Sequence, residues 1–182
     1  LTASKRHFRN QNAIRRVAYF SSSKDEYMSL GYLSPARKWE NQYESLKELG
    51  VTSSIGGWTL AIRMHPNTVH KSTSYCLREV IRLIQLLSDH PEMEIIWPSD
   101  KVDSYELLRN SALVLSSGST VALESMYLEI PTFHVDHSSY FFTSSRSEID
   151  YSKSLDELVT DYRPEEGRRI ALIEMALLLR HN

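Results

Sequence analysis

Short apolar runs alternate with longer amphipathic segments along the whole chain. Five runs of four to seven residues are rich in branched and aromatic side chains, and four of them are followed within two residues by serine or proline. Both features are typical of short buried strands. We therefore predict strands at residues 17–20, 58–64, 94–97, 112–115 and 130–135.

Helical periodicity fills the stretches between these strands. We predict that the first helix ends at Gly50, after apolar residues that recur at helical spacing: Trp39, Tyr43, Leu46 and Leu49. The clearest amphipathic helix covers residues 73–88, where we expect one apolar stripe to face the core: Leu77, Val80, Ile81, Ile84 and Leu87. Asp103-Ser104 predicts a cap for a short helix, and three more helices are predicted at 119–128, 155–162 and 165–179.

The alternation of strand and helix predicts the fold class. It is typical of α/β proteins, in which βαβ crossovers build a Rossmann-like, mainly parallel sheet with helices on both faces. We expect residues 13–182 to form one such domain, preceded by a polar and basic lead-in segment at 1–12. Ligands bind such sheets at the carboxyl ends of the strands, so the residues just after each strand are the candidates for a site.

Composition narrows the choice of function. The 182 residues are 41% hydrophobic and 24% charged, which suits one globular domain, and the net charge of −2 gives no basic excess for nucleic acid. No apolar stretch approaches the ~20 residues that span a bilayer. Cys76 is the only cysteine, so no disulfide forms within the chain. The chain starts at Leu1 without a methionine, and we expect it to be a segment of a longer protein.

The stretch from Ser116 to Glu124 carries the strongest candidate chemistry. The start of a helix just after a strand offers unpaired backbone N–H groups and the positive end of the helix dipole, which suit a phosphate. Ser119 and Thr120 add hydroxyl donors, and Gly118 lets the backbone approach a ligand closely. Glu124, one turn later, is placed to accept hydrogen bonds from ribose hydroxyls. On these residues alone, a well-capped helix without a ligand remains an open alternative.

A second candidate is the stretch from Arg63 to Asn67. Pro66 stops the strand and fixes the direction of His65, whose ring N–H is suited to donate to a phosphate oxygen. Taken alone, a strand-end histidine bonded to a backbone carbonyl is the simpler interpretation. Because both stretches follow strands of one parallel sheet, they are expected at the same edge, as a shared phosphate site requires.

The order of these motifs resembles that of a known group of enzymes. Arg-x-His-Pro after one strand, followed by Ser-Ser-Gly-Ser-Thr, a helix glutamate and Ile-Pro, resembles the C-terminal domain of bacterial capsule polysaccharide biosynthesis glycosyltransferases, which have the two-domain GT-B fold. The motifs are also similar to those of bacterial sialyltransferases and of CDP-glycerol glycerophosphotransferases. Two further segments, Ser21–Tyr27 and Asp103–Leu108, resemble the opening of this domain and the stretch before its serine motif.

The resemblance implies a role for each candidate residue. By role, the implied residues are His65 as the catalytic group; His65, Ser117, Gly118, Ser119 and Thr120 for the donor phosphates; Glu124 for the ribose; Pro98, Ser99, Lys101 and Val102 near the base; and Ser21, Ser22 and Ser23 at the border of the cleft. No metal and no cofactor is expected, because protein groups neutralise the leaving phosphate in these families.

The implied function is transfer of a sugar from a CMP-, CDP- or UDP-linked donor to a glycan acceptor, during synthesis of a surface or capsular polysaccharide of the bacterial cell envelope. The enzyme would work in the cytoplasm or at the inner face of the cell membrane. These families place acceptor contacts and the general base in an N-terminal domain, which this chain is too short to contain. We therefore expect it to bind nucleotide without turnover. A polyol-phosphate transferase of the CDP-glycerol type, a non-catalytic nucleotide-binding module and, as a weaker match, a nucleotide-sugar epimerase remain open.

The residues around the last strand offer weaker alternatives. His134, Asp136 and His137 suggest a metal site, but their spacing follows no standard zinc arrangement. Ser119, His134 and Asp136 would compose a hydrolase triad, although Ser119 lacks the glycine pair of a nucleophile elbow. The run Tyr140–Phe142 is interpreted either as core or as an exposed patch that faces the missing domain.

Overall fold

A single parallel sheet organises the chain. The computed structural model describes residues 15–23, 42–135 and 149–181. In them, five strands pair in parallel in the order β3-β2-β1-β4-β5, and their bounds are Arg16–Phe20 (β1), Thr59–Arg63 (β2), Glu94–Ile96 (β3), Leu113–Ser116 (β4) and Thr132–His134 (β5). The predicted α/β Rossmann-like class is confirmed. The lead-in segment and the run Tyr140–Phe142 lie outside the described residues.

Helices connect the strands. Their bounds are Gln42–Gly56 (α1), Thr73–Asp89 (α2), Ser104–Arg109 (α3), Val121–Tyr127 (α4), Leu155–Asp161 (α5) and Pro164–His181 (α6), and a 3₁₀ helix covers Pro66–His70. Asp103 caps α3 as predicted, with its carboxylate accepting the Tyr105 N–H at 2.9 Å. Among the described helices, none is both long and apolar enough to cross a membrane.

The sheet buries apolar side chains on both of its faces. Successive side chains of a strand point to opposite faces, so Val17 and Tyr19 of β1 point one way and Ala18 and Phe20 the other. The first pair packs with residues of α1, α2 and α5 in one core cluster. The second pair packs with residues of α3 and with the start of α4 in another. Helices cover both faces because the central strands carry apolar side chains on both of them.

The first helix does not end where the sequence predicts. It continues past Gly50 to Gly56. Gly50 is needed for close packing instead, because a Cβ there would clash with Met93 and stand 2.9 Å from His90 Cδ2. The terminating glycine is Gly57, with φ of 66°, and the following Trp58 N–H reaches back to the Ser53 carbonyl at 2.9 Å. These are the left-handed residue and the long-range bond of a Schellman motif.

The predicted core stripe of α2 is wrong at three of its five residues, whereas Leu87 packs against the core and Val80 is half-buried. Leu77, Ile81 and Ile84 are 58%, 46% and 59% exposed, whereas Leu83 and Leu86 are the apolar residues that are buried against the sheet. The apolar arc of this helix is wider than the face that packs on the sheet, and Leu83, Leu86 and the buried Glu79 lie toward one flank of that arc. The helix itself, and nearly its full length, agree with the prediction.

Candidate functional site

Three strands end side by side at one edge of the sheet. β1 lies between β2 and β4, and all three run in the same direction, so their carboxyl ends share this edge. The segments that follow them are 21–23, 64–66 and 117–120. The residues predicted to bind phosphate are therefore brought together from distant parts of the sequence.

The serines after β1 hold the two neighbouring loops in place. The Ser21 hydroxyl accepts a hydrogen bond from the His65 backbone N–H at 2.8 Å, and the Ser22 hydroxyl donates to the Ser117 carbonyl. Ser21, Ser22 and Ser23 are each 3% exposed. We call Ser21 and Ser22 the serine brace. Their hydroxyls bond to protein groups that flank the cleft.

His65 has one ring nitrogen bonded to the backbone. It caps the 3₁₀ helix, and its Nδ1 accepts a hydrogen bond from the Asn67 N–H at 3.2 Å. A neutral imidazole that accepts at Nδ1 carries its proton on Nε2. Pro66 opens the 3₁₀ helix with a fixed φ, so the half-buried ring has a defined direction. Nε2–H is the donor that a phosphate oxygen requires.

Residues 116–120, which we call the serine turn, join β4 to α4. The Ser116 hydroxyl accepts from the Ser119 N–H at 2.9 Å, and the Ser119 hydroxyl accepts from the Val121 N–H at 3.4 Å. Gly118 has φ of 89°, a conformation that other residues adopt only with strain. Ser119 is half-buried and Thr120 is exposed, so both are accessible at this edge.

Two details change the predicted phosphate site. The Ser117 hydroxyl is buried and shares a hydrogen bond of 2.7 Å with the Tyr19 hydroxyl, so it contacts the interior. In addition, α4 has only seven residues, which limits what its dipole contributes. The candidate site therefore depends mainly on the His65 ring and on the accessible part of the serine turn.

Glu124, the predicted ribose ligand, is half-buried in the first turn of α4. The Glu124 carboxylate raises the pKa of Tyr105, which lies in the first turn of α3. A carboxylate has about four lone-pair sites, so Glu124 has capacity to accept from a ligand.

The residues predicted near the base follow β3, the edge strand. A tight turn places them, with the Trp97 N–H bonded to Asp100 Oδ2 at 2.7 Å and the Trp97 carbonyl accepting from Arg63 at 2.9 Å. Pro98 is half-buried, and Ser99, Lys101 and Val102 are exposed. Three strand spacings, about 14 Å, separate the end of β3 from the end of β4. These residues share the edge with the serine turn but lie at its far side.

His134 lies at the end of β5 and is 2% exposed. Burial lowers the pKa of His134 to about 3, so the ring is neutral at physiological pH. Asp136 and His137, its partners in the metal and hydrolase alternatives, lie outside the described residues. Within the described ranges, no three histidine, cysteine or acidic side chains are grouped so that they would hold a metal ion.

A cavity of about 240 Å³ lies between β5, α4, α5 and α6. Its lining includes Met126, Phe133, Leu158, Tyr162 and Ile170. None of the residues predicted to bind the donor lines it, so it is separate from the site at the carboxyl edge.

One residue at this edge was not predicted. Gln42 is buried at the start of α1, where its amide accepts from the Ser22 N–H and donates to the Ser22 carbonyl, both at 3.3 Å. No sequence signal marks a single glutamine for this contact.

No protein-family model and no curated protein matches the chain. Among solved structures, it is similar to a Listeria monocytogenes protein assigned as a UDP-N-acetylglucosamine 2-epimerase, with 15% identity and a TM-score of 0.51, over 89% of this chain and 40% of that chain. It is also similar to the catalytic domain of cholesterol-alpha-glucosyltransferase from Helicobacter pylori, with 11% identity and a TM-score of 0.47, over 88% and 98%. The chain thus spans less than half the length of the first protein, and that likeness shows a Rossmann-like fold.

Proposed function

We propose that this chain is the nucleotide-sugar-binding domain of a GT-B-type glycosyltransferase. The enzyme transfers a sugar from a CMP-, CDP- or UDP-linked donor to a glycan acceptor in the synthesis of a bacterial surface or capsular polysaccharide. The observation that carries the proposal is the shared edge, where the serine brace holds the His65 loop next to the serine turn. The order of the motifs in the sequence supports the enzyme class.

Charge stabilisation at the donor phosphate follows from this arrangement. His65 Nε2–H and the hydroxyls of Ser119 and Thr120 bind phosphate oxygens, and the missing Cβ of Gly118 lets backbone N–H groups approach them. When the bond between the sugar and the phosphate oxygen breaks, negative charge develops on that phosphate. A well-placed donor lowers such a barrier by about 2.7–4 kcal/mol. These protein groups take the role that a metal ion has in other transferases.

The nucleoside extends from the phosphates along the same edge. Glu124 accepts hydrogen bonds from the ribose hydroxyls, and the base lies toward the turn at 98–102. Cytidine nucleotides are the first choice for the base because two of the resembling families use them, which is an argument from analogy.

A second domain completes the enzyme. It supplies the acceptor contacts and the general base, so the chain alone binds nucleotide without turnover. The chain's span of 40% of the first similar structure is consistent with one domain of two. The enzyme acts in the cytoplasm or at the inner face of the cell membrane.

Two alternatives share the same phosphate site. A polyol-phosphate transferase of the CDP-glycerol type has similar His-Pro and serine motifs and would use the site on a different donor. A non-catalytic nucleotide-binding module would need the site but no second domain. Preference for CDP-glycerol over nucleotide sugars separates the first alternative, and the length of the parent gene product separates the second.

The test is thermal unfolding of the purified chain with CMP, CDP, UDP, GDP and ADP at millimolar concentration. A nucleotide at ~100 times its Kd stabilises the fold by roughly 2.7 kcal/mol, which raises the Tm measurably. Ser119→Ala and His65→Ala are each expected to weaken nucleotide binding by roughly 1–3 kcal/mol without unfolding the domain, because each removes a hydrogen bond to a charged ligand.

Ser88→Ala, at an exposed position near the end of α2, is the matched control and should leave both stability and binding unchanged. Unchanged affinity in both site variants would remove the phosphate-site assignment. If no nucleotide raises the Tm of the chain, the scan is repeated on the longer parent protein, and a second negative result would overturn the proposed function.

A further inference from the structure

We propose that Arg63 binds the second phosphate of the donor, so that the site takes donors linked through a diphosphate in preference to donors linked through a monophosphate. The inference rests on the proposed function and narrows its donor class to CDP- or UDP-linked sugars. It starts from a cation at the carboxyl edge of the sheet that has no counter-charge among the described residues.

The sheet fixes the position of Arg63. It is the last residue of β2, half-buried, and stands in register with Phe20 of β1 and Ile96 of β3. Its Nη1 donates a hydrogen bond to the Trp97 carbonyl at 2.9 Å, just after the end of β3. This bond directs the side chain along the carboxyl edge, so the guanidinium lies where ligands bind such sheets.

The rest of the guanidinium is open to a ligand. In the part of the chain that the structure describes, the Trp97 carbonyl is the one polar partner of Arg63, and no carboxylate pairs with it. Nε and Nη2 have no partner there and are not enclosed by the protein. A charge that is partly withdrawn from water is stabilised by a counter-charge. The planar fork of N–H donors suits a phosphate, which it binds through two parallel hydrogen bonds.

Arg63 lies beside the histidine that is proposed to bind the first phosphate. Pairing with β3 continues one residue beyond it, where the Met64 N–H donates to the Ile96 carbonyl at 3.0 Å, and His65 has an extended backbone. Met64 points into the core cluster on the opposite face. Because side chains alternate along an extended segment, Arg63 and His65 project from the same side, with Cα atoms about 7 Å apart. That spacing lets them contact adjacent phosphates of one diphosphate.

The charges of the site also favour a diphosphate. His65 accepts at Nδ1 and is therefore a neutral donor, as are the hydroxyls of Ser119 and Thr120. A sugar linked to its nucleoside through one phosphate carries one negative charge at this linkage, whereas a diphosphate linkage carries two. Arg63 supplies a positive charge for the second phosphate, so a diphosphate gains more from it than a monophosphate does.

Calorimetric titration of the chain with CMP, CDP, UMP and UDP tests the inference. The wild-type chain should bind each diphosphate more tightly than its monophosphate. Arg63→Gln keeps an N–H donor for the Trp97 carbonyl but removes the charge and the fork, and should lower this affinity ratio by about tenfold or more, the effect of a hydrogen bond to a charged group. Arg63→Lys keeps the charge without the fork and should give an intermediate ratio.

Arg78→Gln, which removes an exposed charge from α2, is the matched control and should leave the ratio unchanged. A purely structural role of Arg63 would weaken mono- and diphosphates equally. An unchanged ratio in Arg63→Gln, with nucleotide still bound, would therefore overturn this inference and leave the proposed function intact. A wild-type chain that binds CMP as tightly as CDP would do the same. Absence of nucleotide binding in the wild-type chain and in its longer parent would overturn both.

Discussion

Two serine clusters lie next to each other at the carboxyl edge of the sheet, in opposite surroundings. Ser21 and Ser22, after β1, are buried and bonded to the loops on either side. Ser119 and Thr120, after β4, belong to a turn that bonds to itself and remains accessible. Both groups carry hydroxyl side chains, but the path of the chain differs. After β1 the chain continues between two neighbours, whereas after β4 it leaves the sheet at Gly118.

This difference separates a structural role from a ligand-binding role. A serine enclosed by neighbouring loops has its hydroxyl bonded to the protein, and it stabilises the shape of the site. A serine in a turn that leaves the sheet has its hydroxyl available to a ligand. Changes on the buried side should therefore act on stability, and changes on the accessible side should act on binding.

The largest expected effect is that of pH on the free energy of unfolding, through the buried His134. This residue pairs in register with Ser116, at the start of the serine turn. Its pKa is lowered to about 3, whereas an unfolded histidine has a pKa near 6.5. Between these values the unfolded chain binds the additional proton, so the free energy of unfolding decreases as the pH falls. The decrease is up to about 1.4 kcal/mol per pH unit, or about 3 kcal/mol between pH 6.5 and pH 4.

Urea unfolding across this pH range measures the effect. Other acidic groups also contribute, so wild type is compared with His134→Gln and His134→Leu, which do not titrate there. The difference in slope belongs to His134. If wild type and both variants lose stability in parallel as the pH falls, the ring is not held neutral by burial.

The next effect contrasts the brace with the turn. Ser22→Ala removes the donor to the buried Ser117 carbonyl and should lower the free energy of unfolding by about 1–3 kcal/mol, the cost of an unsatisfied buried group. Ser119→Ala should leave stability nearly unchanged and weaken nucleotide binding. Urea unfolding and nucleotide titration of both variants test this contrast. Equal losses of stability in the two variants would remove the distinction between brace and turn.

The smallest expected effect on stability is at Gly118, where the chain leaves the sheet. Gly118→Ala forces a side chain into a left-handed conformation and should cost about 1–2 kcal/mol of stability. Gly57→Ala, with φ of 66° at the end of α1 and open space around its Cβ, is the matched control with a similar cost. Nucleotide titration separates the two variants, because only Gly118→Ala should also weaken binding. Equal affinities would place the ligand away from the serine turn.

The strands were predictable because apolar runs with defined ends leave little choice of structure. Each of the five predicted runs contains or overlaps a strand of the sheet. The helix boundaries depended on packing, which the sequence does not show. A glycine is typical of a helix end, but Gly50 lies within α1. The absence of a side chain there lets Met93 and His90 pack closely against the helix.

The candidate site divides in the same way. The position of His65 and of the serine turn after strands follows from local pattern, and parallel strands place both at one edge. The interior contact of Ser117 with Tyr19 and the contact of Ser21 with the His65 backbone join residues that lie far apart in the sequence. No local sequence pattern indicates which of these residues become neighbours in the folded chain.

By itself, the sequence determined the α/β class, the strands and the edge at which a ligand would bind, because alternation and strand ends are local properties. Only the tertiary structure decided which face of α2 is buried and which serines are enclosed. The physical reason is that burial and hydrogen bonding depend on neighbours in space. Strand order and helix packing select those neighbours after the local elements have formed.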